Sequence, residues 1–246
     1  MSYNNSDMDE FSSSTHENLP VHKAAVIYDR LIENFGVPNW PKMAPLDEMI
    51  NTILSQNTND RNRDSAFVSL RHRFPTWEAV RDARASEVID CIRSAGLGNQ
   101  KGPRIQEILR QITEETGGLD LDFLKGWEPE RIRTWLTGFK GVGMKTASIV
   151  MLFSLGIPAF PVDTHIYRVT GRLGLRPAKM SVEQTHLQMA KLFPPENYGT
   201  AHINLILLGR RICFARNPNC SECFLNDLCD YYSEKESIVQ KNGTSR

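Results

Sequence analysis

Hydrophobic residues recur along the chain at the three-to-four-residue spacing of helices that bury one face. In the first such segment, Ala24, Ile27 and Leu31 fall on one side. The breaks between segments coincide with Gly and Pro, and we find no convincing run of the strict alternation that is typical of a half-buried strand. The pattern therefore predicts an all-α protein with short helices over residues 21–35, 46–55, 60–73, 78–92, 100–115, 129–137, 143–155, 164–173, 181–192 and 197–211.

The two ends of the chain differ from the body in composition. Residues 1–19 and 233–246 are polar and poor in large apolar side chains, which predicts disordered tails. Residues 1–19 lack the basic start and the apolar stretch of a signal peptide. The longest apolar runs in the chain fall short of the roughly 20 residues that span a bilayer. We therefore expect a cytoplasmic protein. The 29 basic and 29 acidic residues balance, so net charge gives no sign of a nucleic-acid partner.

A glycine-rich turn precedes a helix that is apolar on every side. The turn reads Gly-Val-Gly-Met-Lys from Gly141 to Lys145. Partial desolvation and the helix dipole would lower the pKa of this lysine from its usual value of about 10.4, and a neutral amine is a nucleophile. The N–H groups of Gly141 and Gly143 could hold a phosphate. Plainer interpretations are a tight turn and a solvated surface lysine.

An acid follows this helix after one short loop. Asp163 could assist an amine nucleophile at Lys145. It also stands where a helix N-cap is expected, because a helical pattern begins at residue 164. The two roles are compatible.

Four of the five cysteines lie within 17 residues, with the spacing C-x6-C-x2-C-x5-C. In a chain without a secretory signal, this density indicates a metal centre in preference to two disulfides. Thiolate ligands suit an iron–sulfur cluster or a structural zinc ion, and the single C-x2-C pair mildly favours iron–sulfur. Cys91 stands alone and is most simply a small buried residue. The predicted ligands are Cys213, Cys220, Cys223 and Cys229.

Taken together, four motifs resemble the endonuclease III family of helix-hairpin-helix DNA glycosylases. They are the hairpin before Lys145, the Val-Asp-Thr-His run at 162–165, the Leu-Ser-Gln-Asn-Thr segment at 54–58, and the cysteine loop. Their order and separations agree with the family, and the resemblance covers about residues 20–232.

The resemblance implies a fold of two helical lobes. A six-helix lobe with the helix-hairpin-helix would occupy residues 45–157, and residues 20–44 and 158–232 would form a cluster-binding lobe. The family's cysteine loop holds a [4Fe-4S] cluster, which implies that cofactor here instead of zinc.

The activity that the resemblance implies is removal of oxidised pyrimidines from duplex DNA by a monomeric base-excision repair enzyme. Lys145 would attack the sugar C1′, release the base and form a Schiff base that permits strand cleavage by β-elimination. Asp163 would activate the lysine or stabilise positive charge on the sugar. Two alternatives stay open: a glycosylase for another damaged or mispaired base on the same fold, and a DNA-binding cluster protein without catalysis.

The resemblance also implies which residues contact DNA. A side chain from Gln56-Asn57 would fill the space of the flipped nucleotide, and Leu97, between two glycines, would wedge into the opposite strand. Without the family, Leu97 could equally be a loop residue tucked onto the core. His165 lies near the lesion pocket in the family, and its plainer interpretation is a packed, hydrogen-bonded ring. The N–H groups of Gly141 and Gly143 would hold a DNA phosphate. Outside the family pattern, Lys140 would add charge at this turn. Near the cysteine loop, Arg210, Arg211 and Arg216 would contact the DNA backbone, or equally form a solvated helix face.

Two positions depart from the family pattern. The family hairpin usually begins Leu-Pro-Gly, whereas Phe139-Lys140 precedes the glycine here. Lys140 restores an N–H group and adds a positive charge. Asn57 stands where glutamine is common, so its side chain is one methylene shorter.

Overall fold

The computed structural model describes residues 7–243, with the side chains of residues 20–238 and 240, and within that range it contains helices and no strand. The predicted all-α class is therefore confirmed. The α-helices are α1 Asp7–Phe35, α2 Pro45–Ser55, α3 Asp60–Arg73, α4 Trp77–Asp82, α5 Ala85–Cys91, α6 Gly98–Thr116, α7 Pro129–Gly138, α8 Met144–Ile149, α9 Thr164–Arg172, α10 Val182–Leu192, α11 Tyr198–Arg211 and α12 Asp230–Gly243.

The chain divides into two compact units. The central unit is Pro41–Pro161, and the second unit combines the chain up to Trp40 with the chain from Val162 onward. The lobes predicted from the sequence have their boundaries at 44/45 and 157/158. Each unit therefore contains a separate set of the predicted site residues.

Helices occur inside both segments that the composition assigns to tails. The first helix begins at Asp7, and the last continues to Gly243. A helix satisfies most of its own backbone hydrogen bonds, so low apolar content does not by itself prevent one. Residues 1–6 and 244–246 of the predicted tails lie outside the described residues.

One predicted helix, over residues 78–92, is two helices in the structure. The backbone is extended at Ala83 and Arg84, between α4 and α5. The buried side-chain amide of Gln106 donates hydrogen bonds to the carbonyl oxygens of Val80 (2.9 Å) and Ala83 (2.8 Å). These bonds satisfy carbonyls at the break, so the interruption does not leave them unpaired in the core.

The core of the central unit fixes α2 and α8. Helix α2 ends directly before Gln56, and α8 contains Lys145 in its first turn. Ile50, Ile53 and Leu54 of α2 are fully buried in the same hydrophobic cluster as Ala147 of α8. The predicted helix over 143–155 is α8 followed directly by a π-helical segment, Val150–Leu155.

In the second unit, α1 is tied to the cysteine loop. The Arg30 guanidinium donates to the Asp227 carboxylate (2.9 Å) and to the carbonyl of Phe224 (3.1 Å), and Lys23 forms an ion pair with Asp230 (2.6 Å). These contacts join the first helix to the last third of the chain.

Candidate active site and cluster loop

The turn between α7 and α8 is fixed by a buried aromatic residue at its start and a glycine at its centre. The Phe139 ring is buried and packs edge-on against Trp135, with ring centroids 4.7 Å apart. Gly141 has φ +89°, and a Cβ there would lie 2.5 Å from Cδ of Arg104. Only glycine meets both conditions without strain. At Gly143 a Cβ would meet nothing within 4 Å.

The two lysines of this hairpin have different environments. Lys140 is exposed in the turn, whereas Lys145 is half-buried in the first turn of α8, immediately before the buried residues Thr146 and Ala147. Lys145 therefore lies at the edge of the core. This is the partly desolvated position that the sequence predicts for the amine. Its role as the nucleophile stays a prediction at this point.

Gln56 and Asn57, which we call the plug segment, differ in what their side chains do. The Gln56 amide donates to the carbonyl of Gly141 (3.1 Å), and Arg104 donates to its Oε1 (3.5 Å). Asn57 is exposed and has φ +54°. Both residues are predicted DNA contacts, and the geometry leaves the Asn57 side chain as the one directed to solvent. The sequence does not predict that Arg104 packs against the hairpin, because nothing in the local sequence links residue 104 to residue 141.

The wedge loop, Gly96–Gly98, presents an apolar side chain to solvent. Leu97 is 45% exposed and adopts the left-handed conformation, with φ +53°. A β-unbranched apolar residue in this conformation costs about 1 kcal/mol or more. The exposed tip has the shape that intercalation requires, and it is not tucked onto the core.

Asp163 is the N-cap of α9. Its Oδ1 accepts a hydrogen bond from the Ile166 N–H at 2.8 Å, and the residue is half-buried. The predicted capping role is therefore confirmed. The cap holds the carboxylate in one orientation, which a catalytic carboxylate also needs.

His165 is packed and hydrogen-bonded in the second unit. Its Nδ1 lies 3.1 Å from Nη2 of Arg168, and a Cβ at Gly209 would come within 2.9 Å of the His165 Cβ. The absence of a side chain at Gly209 therefore lets α11 lie close to the His165 side chain. Its predicted contact with DNA stays a prediction. The three arginines predicted as further phosphate contacts, Arg210, Arg211 and Arg216, are all exposed.

The four clustered cysteines surround one cavity. They are half-buried, form no disulfide, and line the cavity together with Arg172, whose guanidinium donates to Sγ of Cys213 (3.2 Å). The predicted ligand set is Cys213, Cys220, Cys223 and Cys229.

The electrostatics of this cavity fit a cationic metal core. Burial raises the pKa of Cys223 and Cys229 above the ordinary 9.0; backbone hydrogen bonds oppose this shift, and the charges of the neighbouring cysteines add to it. Four thiolates in such a place repel one another and need positive charge to hold them. The donor set suits an iron–sulfur cluster, and by itself it also suits zinc.

Comparison with known proteins resolves the family. The model of the HhH-GPD superfamily of base excision DNA repair proteins matches residues 50–195, and the iron–sulfur binding domain of endonuclease III matches residues 213–229. Endonuclease III of Thermotoga maritima is 34% identical over 208 residues, which is 85% of this chain and 93% of that protein. The chain belongs to the endonuclease III family.

Other relatives agree with this assignment. Endonuclease III of Escherichia coli strain K12 is 34% identical over 88% of this chain and 98% of its own length. A non-covalent endonuclease III–DNA complex has a TM-score of 0.76 at 26% identity, and a trapped endonuclease III–DNA covalent intermediate has 0.75 at 27%. Both structures cover 88% of this chain and are covered to 98% by it. The cofactor of this endonuclease III family member is accordingly a [4Fe-4S] cluster.

Removing one ligand should remove the cluster. We expect Cys223→Ser to lose most of the bound iron and the visible absorbance of the purified protein, because a serine hydroxyl is a poor ligand for iron–sulfur centres. The matched control is Cys91→Ser, since burial raises the pKa of the Cys91 thiol and this residue lies in the central unit. Iron content and absorbance spectra measure both variants. Zinc in place of iron in the wild-type protein would contradict the cofactor assignment.

The hairpin glycines should differ in their tolerance of a side chain. We expect Gly141→Ala to lower the free energy of unfolding by about 1–3 kcal/mol, because φ is positive and the new Cβ meets Arg104. Gly143→Ala should cost less, because φ there is −95° and the space is open, so that only the preference of a helix N-cap for glycine over alanine is lost. Urea unfolding of the two variants tests this, and equal stabilities would refute the hairpin geometry.

Proposed function

We propose that this endonuclease III family member is a DNA glycosylase with abasic-site lyase activity that removes oxidised pyrimidines from duplex DNA and acts as a monomer. The observation that carries the proposal is a half-buried lysine, Lys145, in the first helical turn after a glycine hairpin, in a chain of this repair family. The structural similarity to a trapped endonuclease III–DNA covalent intermediate supports it.

The chemistry begins when the damaged nucleotide rotates out of the helix, at a cost of a few kcal/mol. The amine of Lys145 attacks C1′, the bond from C1′ to the base breaks, and the base leaves with the bonding electron pair and then takes a proton. Loss of the lysine proton and opening of the sugar ring give a Schiff base. Abstraction of a proton from C2′ then expels the 3′ phosphate by β-elimination, and water releases the lysine.

The other residues assist without forming bonds to the sugar. The Asp163 carboxylate stabilises the positive charge that develops on the sugar or accepts the proton of the lysine. The N–H groups of Gly141 and Gly143 bind a phosphate, and exposed Lys140 adds charge there. Asn57 fills the vacated space, and Leu97 enters the opposite strand.

The cluster loop contributes a fixed scaffold for this chemistry. Cys213, Cys220, Cys223 and Cys229 would hold the [4Fe-4S] cluster, which would supply positive charge to the four thiolates and cross-link the loop. Arg172 donates to Sγ of Cys213 and to the carbonyl of Phe214 (2.7 Å), so it joins α9, which Asp163 caps, to the loop.

We propose that the protein acts in the cytoplasm, at the nucleoid in a bacterium. No helix among the described residues is long and apolar enough to cross a membrane.

A labelled duplex with one oxidised thymine tests the proposal. The expected products are the free damaged base and a strand that ends in the unsaturated aldehyde left by β-elimination. Duplexes with intact thymine and with a preformed abasic site are the controls; the first should survive and the second should be cleaved. Base release that leaves abasic sites intact would contradict the lyase activity, and failure on both damaged duplexes would contradict the function.

A further inference from the structure

A lysine that the mechanism does not use is buried in the central unit. Lys101, in the first turns of α6, is 1% exposed. Its ammonium group has three N–H donors, and Nζ lies near three backbone carbonyl oxygens, those of Leu54 (2.8 Å), Gln56 (2.7 Å) and Ala95 (2.9 Å). A buried ammonium is costly unless every donor is bonded, and here donors and acceptors match one to one.

The carbonyls lie in or next to the two segments that are proposed to enter DNA. Leu54 is near the end of α2, and Gln56 belongs to the plug segment, directly before Asn57. The third carbonyl is that of Ala95, one residue before the wedge loop. The backbone N–H of Lys101 also donates to the carbonyl of Leu97 (2.9 Å), a main-chain bond at the start of α6 that does not depend on the side chain. One residue therefore connects the plug segment to the wedge loop.

Both segments carry a non-glycine residue with positive φ at their tip, a conformation that is strained for leucine and more readily adopted by asparagine. Asn57 (φ +54°) and Leu97 (φ +53°) are two of the three non-glycine residues with positive φ in the described part of the chain, and both are exposed. Such conformations persist only where the surroundings impose them. The bonds of Lys101 Nζ lie next to both tips and contribute to holding both.

We propose that Lys101 is a positioning residue that holds the plug segment and the wedge loop in one fixed arrangement for entry into DNA. This inference rests on the proposed function. Without the three bonds, each segment can relax separately, and the cost of ordering both falls on the step in which the damaged nucleotide leaves the helix.

The same helix offers a matched control residue. Gln106 is also 1% exposed, and its amide donates to the carbonyls of Val80 and Ala83 at the break between α4 and α5. Its removal should destabilise the same core through the same kind of bond. It leaves the plug segment and the wedge loop untouched.

The experiment compares Lys101→Met with Gln106→Met in the full-length, cluster-loaded protein. Single-turnover base release is measured on two duplexes. In one, the oxidised pyrimidine is paired with a normal base; in the other, the same lesion lies opposite an abasic analogue and has no paired base from which it must separate. Lys101→Met should be slowed at least about tenfold on the paired lesion and clearly less on the unpaired one, because unpairing is the step that the two segments assist. Gln106→Met should stay within about twofold of wild type on both, at a similar loss of stability in urea.

Three results would overturn the positioning role: equal slowing of the two variants, equal slowing of Lys101→Met on the two substrates, or wild-type rates for Lys101→Met. Should Lys101→Met not fold, Lys101→Gln, which keeps donors at a shorter reach, takes its place in the same comparison. Failure of the proposed function is a separate result, because the wild-type protein would then cleave neither the lesion duplex nor the preformed abasic site.

Discussion

Lys145→Gln should slow both base release and strand cleavage by on the order of 10³-fold or more, because it removes the only atom proposed to bond to the sugar. Such a factor corresponds to about 4 kcal/mol of lost transition-state stabilisation. Single-turnover assays on the lesion duplex at saturating protein measure it. Thermal unfolding of the variant should stay near wild type, since Lys145 is only half-buried.

Lys140→Gln is the control for charge in the same hairpin. Lys140 is exposed, so its replacement should weaken DNA binding and reduce the salt dependence of that binding. The rate of the saturated complex should be unchanged. Wild-type rates for Lys145→Gln, or comparable losses in the two variants, would contradict the assignment of Lys145 as the nucleophile.

Asp163→Asn should separate the capping role of this residue from its catalytic role. Asparagine caps helices about as well as aspartate, so the bond to the Ile166 N–H is kept and stability should change by less than about 0.5 kcal/mol. The negative charge is lost, and base release should slow by about 10²-fold. Urea unfolding and single-turnover rates measure the two effects.

Asp163→Ala provides the comparison for the cap. It should lose about 1 kcal/mol of stability together with the rate, because the backbone N–H of Ile166 loses its acceptor. If Asp163→Asn retained the wild-type rate while Asp163→Ala did not, Asp163 would be a cap alone, and its catalytic role would be wrong.

The all-helical fold could be predicted because the periodicity of apolar residues is a local signal. The start of α9 after Asp163 was predicted in the same way, from a capping residue next to a helical pattern. The break between α4 and α5 could not be, because it is supported by Gln106, more than 20 residues away in the sequence. Local patterns do not contain such contacts.

The cysteine ligand set could be predicted because its members lie close together in the sequence, and the family resolved iron–sulfur from zinc. Lys101 has the appearance of a solvated lysine near a helix start, and its burial depends on carbonyls that arrive from α2 and from the loop after α5. The internal use of Gln56, which leaves Asn57 exposed, depends likewise on the distant Gly141.

The role of Lys145 as the nucleophile is tested by identifying the residue that becomes covalently attached to DNA. The wild-type protein is mixed with an abasic-site duplex in the presence of borohydride, which reduces a Schiff base to a stable amine, and the adduct is digested and mapped by mass spectrometry. One adduct, on Lys145, is expected with the wild-type protein, and none with Lys145→Gln. No adduct with the wild-type protein, or an adduct on another residue such as Lys140, would contradict the assignment of Lys145 as the nucleophile.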